Sequence, residues 1–378
     1  MVLKIYFILI ILSFVCFASC AQFAFLYAGS AEFFNYRHQA DIFTIYNQLL
    51  NRGFTSDNIA LYAYDDIATD PENLYQGQVF HTLDHKTNVY PGTSAINVKG
   101  DDVTAEAFYD AISYLPTTSE DYVFIYYDNH GLKGLLGTPD YKYIYADKLA
   151  QVFLNASQHN LYKQALFLVE ACYSASVAEV IAKDTPNLAV ITAANAKESS
   201  YAAVYDSELG VHLSNEFSNI FIEIIDEDPT MTVGDLYTKL QNLTEQSHVC
   251  YFGDESIQKV PLSTFIGIPN KIIPHETIKT RTKPVTPREA TEKTLLFFSE
   301  HSKPSIRAIS RLKLLKIKYQ REKLKTILEM LVKYVDEKKY DQIMNNNDDD
   351  SELTENYFKV VIVFTDRYGF INPDDYDL

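Results

Sequence analysis

The chain predicts an α/β fold in which a mostly parallel sheet is covered by helices on both faces. Three observations carry this prediction. Short apolar runs rich in aromatic and β-branched residues recur along the first two thirds of the chain, segments with helical spacing separate them, and two of the runs end at residue types that thiol chemistry uses. Residues 122–127 (Tyr-Val-Phe-Ile-Tyr-Tyr) precede Asp128, Asn129, His130 and Gly131, and residues 165–169 (Ala-Leu-Phe-Leu-Val) precede Glu170, Ala171 and Cys172. Runs of this length and composition are buried-strand signals. Strands that alternate with helices build a parallel sheet, and its crossovers place helices on both faces.

Taken in order, residues 1–21 carry Lys4, an almost unbroken apolar stretch from Ile5 to Phe17, and the small residues Ser19, Cys20 and Ala21. That is the pattern of a cleaved secretory signal, and the stretch is short for a bilayer span, so no stable membrane anchor is expected. Residues 23–27 then read as a first strand and 36–50 as a helix with Ile42, Ile45, Tyr46, Leu49 and Leu50 on one face. Asp57 and Asn58 mark a turn before a strand at 59–64, and a helix is expected at 104–115, opened by Thr104 with Glu106 in its first turn. The histidine strand follows, then a glycine-rich turn at 131–137, a helix at 146–155, the cysteine strand, a strand at 188–192, and helices at 213–225 and 232–245.

After Gly267 the pattern changes. Pro269, Pro274, Pro284 and Pro287, spaced among Thr and Lys, predict an extended linker over 268–290. Helices are expected beyond it at 292–300, 305–339 and 352–368, with a polar loop at 345–351, so residues 291–378 read as a small all-α unit behind a catalytic unit at 22–267. Charge divides the chain at the same place: residues 1–270 hold 13 Lys and Arg against 32 Asp and Glu, residues 271–340 hold 18 against 8, and residues 341–378 hold 2 against 10. A segment of net charge +10 beside a domain of −19 has an intramolecular partner in reach, which displaces the nucleic-acid reading that a basic segment otherwise invites. That attraction weakens as carboxylates with reference pKa values of about 4 become protonated, so an acid-released inhibitory tail is expected.

In an open α/β sheet the ligand crevice lies beyond the carboxyl ends of the strands. Neighbouring strands ending at His130 and Cys172 therefore deliver an imidazole and a thiol to one place, with Gly131 after the histidine and the small residues Ser174, Ala175 and Ser176 after the cysteine. A thiol beside an imidazole is the pairing of a nucleophile with its base. Taken singly, each residue reads as structural, since unpaired cysteine is often a core filler; it is the pair at two strand ends that points to catalysis. Cys16 and Cys20 leave with the signal, and a bridge between Cys172 and Cys250 would remove the nucleophile, so no disulfide is expected. Cys250 reads as a core thiol. Asn155-Ala156-Ser157 and Asn242-Leu243-Thr244 are glycosylation sequons.

These residues, together with Asn35-Tyr36-Arg37-His38-Gln39-Ala40-Asp41, Asp65-Asp66-Ile67-Ala68 and Glu198-Ser199-Ser200-Tyr201, resemble the legumain (asparaginyl endopeptidase) family over residues 23–267. The resemblance implies a caspase-like fold and a secretory-route, lysosomal or vacuolar thiol peptidase. Such enzymes use no cofactor or metal, cut peptides or proteins after asparagine and sometimes aspartate, can religate peptides, and carry their own C-terminal prodomain as inhibitor. Carried onto this chain, Cys172 is the nucleophile, His130 the base and then the acid, Asn35 the residue orienting the imidazole, and the N–H groups of Gly131 and Cys172 the oxyanion donors. Around the primary pocket the resemblance places Arg37, His38, Glu170 and Ser199. The family's acidic acceptor after a Leu-Gly pair falls on Val211, leaving Glu208 as the nearest substitute.

Other departures are Asn129 and Tyr173 where acids are usual, and Ala175 for a glycine. Asn270, the only Asn or Asp between Gly267 and Asp336, is the expected activation cleavage site, with residues 345–350 as the alternative. Two rivals share the scaffold: a GPI-anchor transamidase-like subunit, disfavoured by Glu170-Ala171 before the cysteine and the lack of a second apolar span, and a non-catalytic caspase-like binding protein, disfavoured by the intact Cys172, His130 and Asn35.

Overall fold

The computed structural model describes residues 21–225, 228, 230–270 and 283–335. The signal segment, most of the linker, the polar loop at 345–351 and the helix expected at 352–368 lie outside the described residues. Strands β1 (Gln22–Ala28), β2 (Ile59–Tyr62), β3 (Tyr122–Asp128), β4 (Gly131–Leu132), β5 (Leu135–Gly137), β6 (Tyr143–Tyr145), β7 (Gln164–Glu170), β8 (Leu188–Thr192), β9 (Ala202–Asp206), β10 (Val211–Asn215) and β11 (Cys250–Gly253) alternate with α1 (Tyr36–Asn51), α2 (Ala105–Ser113), α3 (Ala146–Gln158), α4 (Ala175–Ala182), α5 (Glu216–Ile224), α6 (Val233–Leu243) and the short α7 (Ser263–Ile266). Helices α8 (Pro287–His301) and α9 (Pro304–Val335) follow.

Six strands form the central sheet in the order β11-β8-β7-β3-β1-β2. All neighbours are parallel except the β11 edge, which runs antiparallel to β8. Because side chains alternate along a strand, the near-continuous apolar runs feed two cores. Ala24, Leu26, Phe124, Tyr126, Leu166 and Leu168 face a cluster closed by α1, α5 and α6 through Ile42, Phe43, Phe221 and Leu236. Phe25, Tyr27, Val123, Ile125, Ala165 and Phe167 face the other, closed by α2, α3 and α4 through Phe108, Phe153, Val177 and Ile181. Each such fully buried side chain contributes about 1.5–3 kcal/mol. Aromatic packing threads both layers, with Phe124 stacked on Phe221 at 6.1 Å and Phe153 on Phe167 at 5.6 Å.

The expected helix at 213–225 divides. Residues 211–215 pair with β9 as a hairpin, and only then does the helix start at Glu216. A run of alternating polar and apolar residues fits either period at this length, and cross-strand pairing decides it. The glycine-rich turn at 131–137 is likewise a small antiparallel sheet of β4, β5 and β6. Cys250 lies half-buried on the β11 edge rather than deep in the core. Pro287, expected in the linker, is the first residue of α8: Thr286 accepts from the Glu289 N–H while the Glu289 carboxylate accepts from the Thr286 N–H, a capping box that sets the helix start.

The tail packs on the catalytic unit. Val285 and Ala202 exchange both backbone hydrogen bonds, at 2.8 and 2.9 Å, extending the β9 edge by one bridge. On α8, Lys293 lies over the Tyr205 ring at 3.4 Å, Phe298 meets Phe33, and Phe297 covers Gly210, where a β-carbon would lie 2.0 Å from its ring. Lys313 of α9 pairs with Glu32, and Ile317 and Leu295 close on Phe34. No helix among the described residues is long and apolar enough to cross a membrane.

Candidate active site

The register of β3 against β7 pairs Asp128 with Glu170, so His130 and Cys172 stand two residues beyond adjacent strand ends. The ladder continues past the strands: the Asn129 N–H donates to the Glu170 carbonyl at 3.1 Å. Gly131 then runs so close to the cysteine backbone that a β-carbon there would sit 2.4 Å from the Cys172 carbonyl oxygen and 2.9 Å from the Ala171 β-carbon. Only glycine fits this approach. Cys172 and His130 are each 6% exposed, so both are buried with only a small edge open to solvent.

Asn35 ends the single 3-10 turn that leads into α1, and its placement defines the histidine tautomer. Its Nδ2 donates to the Ala31 carbonyl at 3.0 Å, which turns Oδ1 toward His130 Nε2 at 2.9 Å. A carboxamide oxygen only accepts. The ring proton therefore sits on Nε2, and Nδ1 keeps the lone pair a general base needs. Burial, and after it the Arg37 guanidinium, hold the His130 imidazole well below its ordinary pKa and favour this neutral form. The Cys172 sulfur receives the Ser200 backbone N–H at 3.3 Å, a donor that stabilises a thiolate. Tyr173, directly after the cysteine, adopts a left-handed φ of 55°, an uncommon conformation for a bulky residue that sharpens the turn from strand to helix.

Beneath the pair lies a buried polar network. His38 Nδ1 and Asp128 Oδ1 are 2.6 Å apart, and the two rings His38 and His130 meet edge to face at 5.0 Å. Burial, with Arg37 and His130 adding to it, drives His38 well below its ordinary value, while burial, Asp41 and Glu170 drive the Asp128 carboxyl well above. Both directions favour a neutral acid donating to a neutral imidazole. Arg37, 1% exposed, donates from Nε to Asn215 Oδ1 at 2.8 Å. Glu170 is fully enclosed and its carboxyl is raised by burial. Ser199 is half-buried on the loop beside Ser200, and that loop is pinned by Glu198, which accepts from Asn195 and His248 N–H groups. Val211 opens β10 inside the larger core at 0% exposure and offers no acceptor. Glu208 is 58% exposed and receives the Tyr75 hydroxyl at 2.8 Å.

Asp41 and Asp128 stand within the sequence motifs without a role of their own, and Asn215 stands in none of them. Asn129, noted as a departure, donates its amide to the Gly29 carbonyl, which a carboxylate cannot do. Asn270 is exposed and bonded through its N–H to the Asn51 carbonyl at 2.8 Å. Asn155 and Asn242 are both exposed, on α3 and α6. Among the described residues no cluster of His, Cys, Asp and Glu has the arrangement of a metal site.

A model of the Peptidase C13 family matches residues 22–268. The chain is 33% identical over 272 residues to a vacuolar-processing enzyme of Citrus sinensis, covering 65% of this chain and 55% of that one. It is 33% identical over 259 residues to legumain of Mus musculus, with 65% and 59% covered, and 34% identical over 263 residues to hemoglobinase of Schistosoma japonicum, with 65% and 60% covered. The match thus spans between half and two thirds of the length of these relatives. A caspase-1 structure from Spodoptera frugiperda superposes with a TM-score of 0.43 at 11% identity, covering 67% of this chain and 92% of that one.

Proposed function

The chain belongs to the Peptidase C13 family, and from that premise we propose that it is a cysteine endopeptidase that cuts after asparagine and is made as a zymogen. Cys172 attacks the peptide carbonyl, His130 Nδ1 takes the thiol proton and returns it to the leaving amine, and Asn35 holds the ring. The N–H groups of Gly131 and Cys172 receive the developing oxyanion, whose stabilisation is worth about 3–4 kcal/mol per donor in another protease. A water then hydrolyses the thioester along the same path. Arg37, His38, Glu170 and Ser199 surround the primary pocket, with the Arg37 guanidinium supplying donors to the side-chain carbonyl of asparagine, while Val211, at 0% exposure in the core, supplies no contact there.

The single observation that carries this reading is the meeting of His130-Gly131 with Ala171-Cys172 at adjacent strand ends, with Asn35 on the far ring nitrogen. The tail lies on the β9–β10 hairpin through Val285, Lys293 and Phe297, which supports its role as inhibitor. Cleavage after the exposed Asn270 frees it. The names of the relatives, vacuolar-processing enzyme among them, and the apolar leader favour delivery through the secretory route to an acidic compartment. Incubating the full chain at mildly acidic pH with a peptide library, and identifying the residue before each cut, tests the proposal: cuts after asparagine that vanish in Cys172→Ala support it, and cuts that persist in that variant reject it.

A further inference from the structure

Asn215 joins the buried side chains of Arg37, His38, Asp41 and Asp128 in one network. It sits at the last position of β10, 2% exposed, opposite the first turn of α1. Its Oδ1 accepts from Arg37 Nε at 2.8 Å; its Nδ2 donates to Asp128 Oδ1 at 2.9 Å and Asp41 Oδ2 at 3.1 Å, and lies 3.3 Å from His38 Nδ1. Its backbone N–H also donates to Asp41 Oδ2 at 2.9 Å. Asp41 is held in turn by His81 Nε2 at 2.8 Å and Ser214 Oγ at 2.5 Å, and Asp128 Oδ2 by Ser218 Oγ at 2.8 Å. One neutral carboxamide therefore faces a buried cation with its oxygen and two buried carboxyl groups with its nitrogen. No other side chain has both an acceptor and a two-proton donor in so small a volume except glutamine, which is one methylene too long for a packed site.

We propose that Asn215 is the positioning residue that aims Arg37 into the primary pocket and thereby sets discrimination for the substrate side chain before the cut. The inference rests on the peptidase reading and deepens it. A buried guanidinium held at one Nε keeps its plane fixed, so its remaining donors present a constant geometry to the substrate's carbonyl oxygen. Without the Asn215 oxygen, Arg37 swings toward the carboxyl groups of Asp41 and Asp128. The loss then falls on binding of the substrate side chain, not on the thiol and imidazole, which Asn35 and the strand ends hold separately.

The test uses the full chain after tail removal, with paired fluorogenic peptides bearing asparagine or alanine before the scissile bond. Asn215→Val removes both interactions, and the smaller Asn215→Ala removes them without branching at the β-carbon. The valine variant should lose about tenfold or more of the asparagine-over-alanine ratio of kcat/KM, through KM, while Cys172 alkylation by iodoacetamide keeps its rate. The alanine variant should lose the ratio likewise. In the Arg37→Ala background, Asn215→Val should have no further effect on it. An unchanged ratio in the valine variant, or equal losses on both peptides, overturns the proposal. Should the valine variant not fold, an unchanged ratio in the alanine variant overturns it equally, and loss supports it. If the unmodified chain cleaves neither peptide, the peptidase reading fails and takes this proposal with it. Cleavage with intact discrimination in Asn215→Val rejects this proposal alone.

Discussion

At the scale of single residues, the tautomer of His130 is the property from which the chemistry follows. Asn35 Oδ1 fixes the proton on Nε2, so Asn35→Ala lets the ring rotate and exchange tautomers; kcat should fall on the order of 10²-fold with little change in KM, as single-turnover kinetics will read. Burial and Arg37 hold this imidazole below its ordinary pKa of about 6.5. A base that must be neutral to act stays competent until the pH falls below its own pKa, so the acid limb of kcat/KM should lie below 6.5, and an inflection at or above 6.5 contradicts the assignment. The same lowering has a stability counterpart, because His38, His130 and His212 are all depressed by burial first, His212 to about 3. The unfolded chain takes up their protons as pH drops through about 6.5, and the folded chain does not. Stability gained from these groups is complete above that pH and is lost progressively below it. Cys172 and His130 were legible in the sequence because each ends an apolar strand; Asn215 was not, because its meaning comes from lying opposite Arg37 across the β10 and α1 packing, which no local pattern encodes.

Among elements, the parallel strands were readable and the hairpins were not. Residues buried on both faces give continuous apolar runs that no other element produces at that length, so β1, β3, β7 and β8 came out within a residue or so of their ends. The β9–β10 hairpin and the β4–β6 sheet are built of strands two to five residues long, too short to show a period, and their strand character arises from pairing partners rather than from propensity. The depth of the core is testable at Phe167, which has no exposure and packs between Phe108 and Phe153. Phe167→Ala should lower unfolding stability by about 3–5 kcal/mol in urea titration. Helix α8 offers a functional readout of its own cap. Thr286→Ala breaks the capping box and should weaken the helix by about 1 kcal/mol, which raises the basal peptidase activity of the uncleaved chain roughly fivefold; no rise in basal activity would separate α8 from inhibition.

Across the whole molecule, the charge division read from the sequence has a structural seat where α9 meets the catalytic unit. Glu32, Asp66, Asp70 and Glu72 line one cleft with Leu295, Ile309 and Lys313 of the tail, and Lys313 pairs with Glu32. The sign of its pH dependence is mixed. Burial raises Asp66, Asp70 and Glu72 of the catalytic unit, the last to about 7; if tail release exposes them they give up protons that the docked state holds, and this contribution then grows as pH falls through 7. The long-range attraction between the acidic unit and the basic tail runs the other way and fades as exposed carboxylates protonate near their reference pKa of about 4. Docking should therefore tighten from pH 8 to 6 and release only below about 5. An Asn270→Gln chain, confirmed intact by mass spectrometry and assayed for activity across pH, tests this. Activity that falls between pH 8 and 6 and rises below 5, with the rise enhanced by 0.5 M salt as surface pairs are screened to about 4 Å or so, agrees.

The most direct test of the catalytic assignment is peptide mapping by mass spectrometry after the tail-free chain reacts with a thiol-directed electrophile carried on an asparaginyl peptide. One adduct is expected, on Cys172, abolished by His130→Ala while denatured protein labels Cys172 and Cys250 alike. An adduct on Cys250, or labelling of Cys172 that is indifferent to His130, would contradict it.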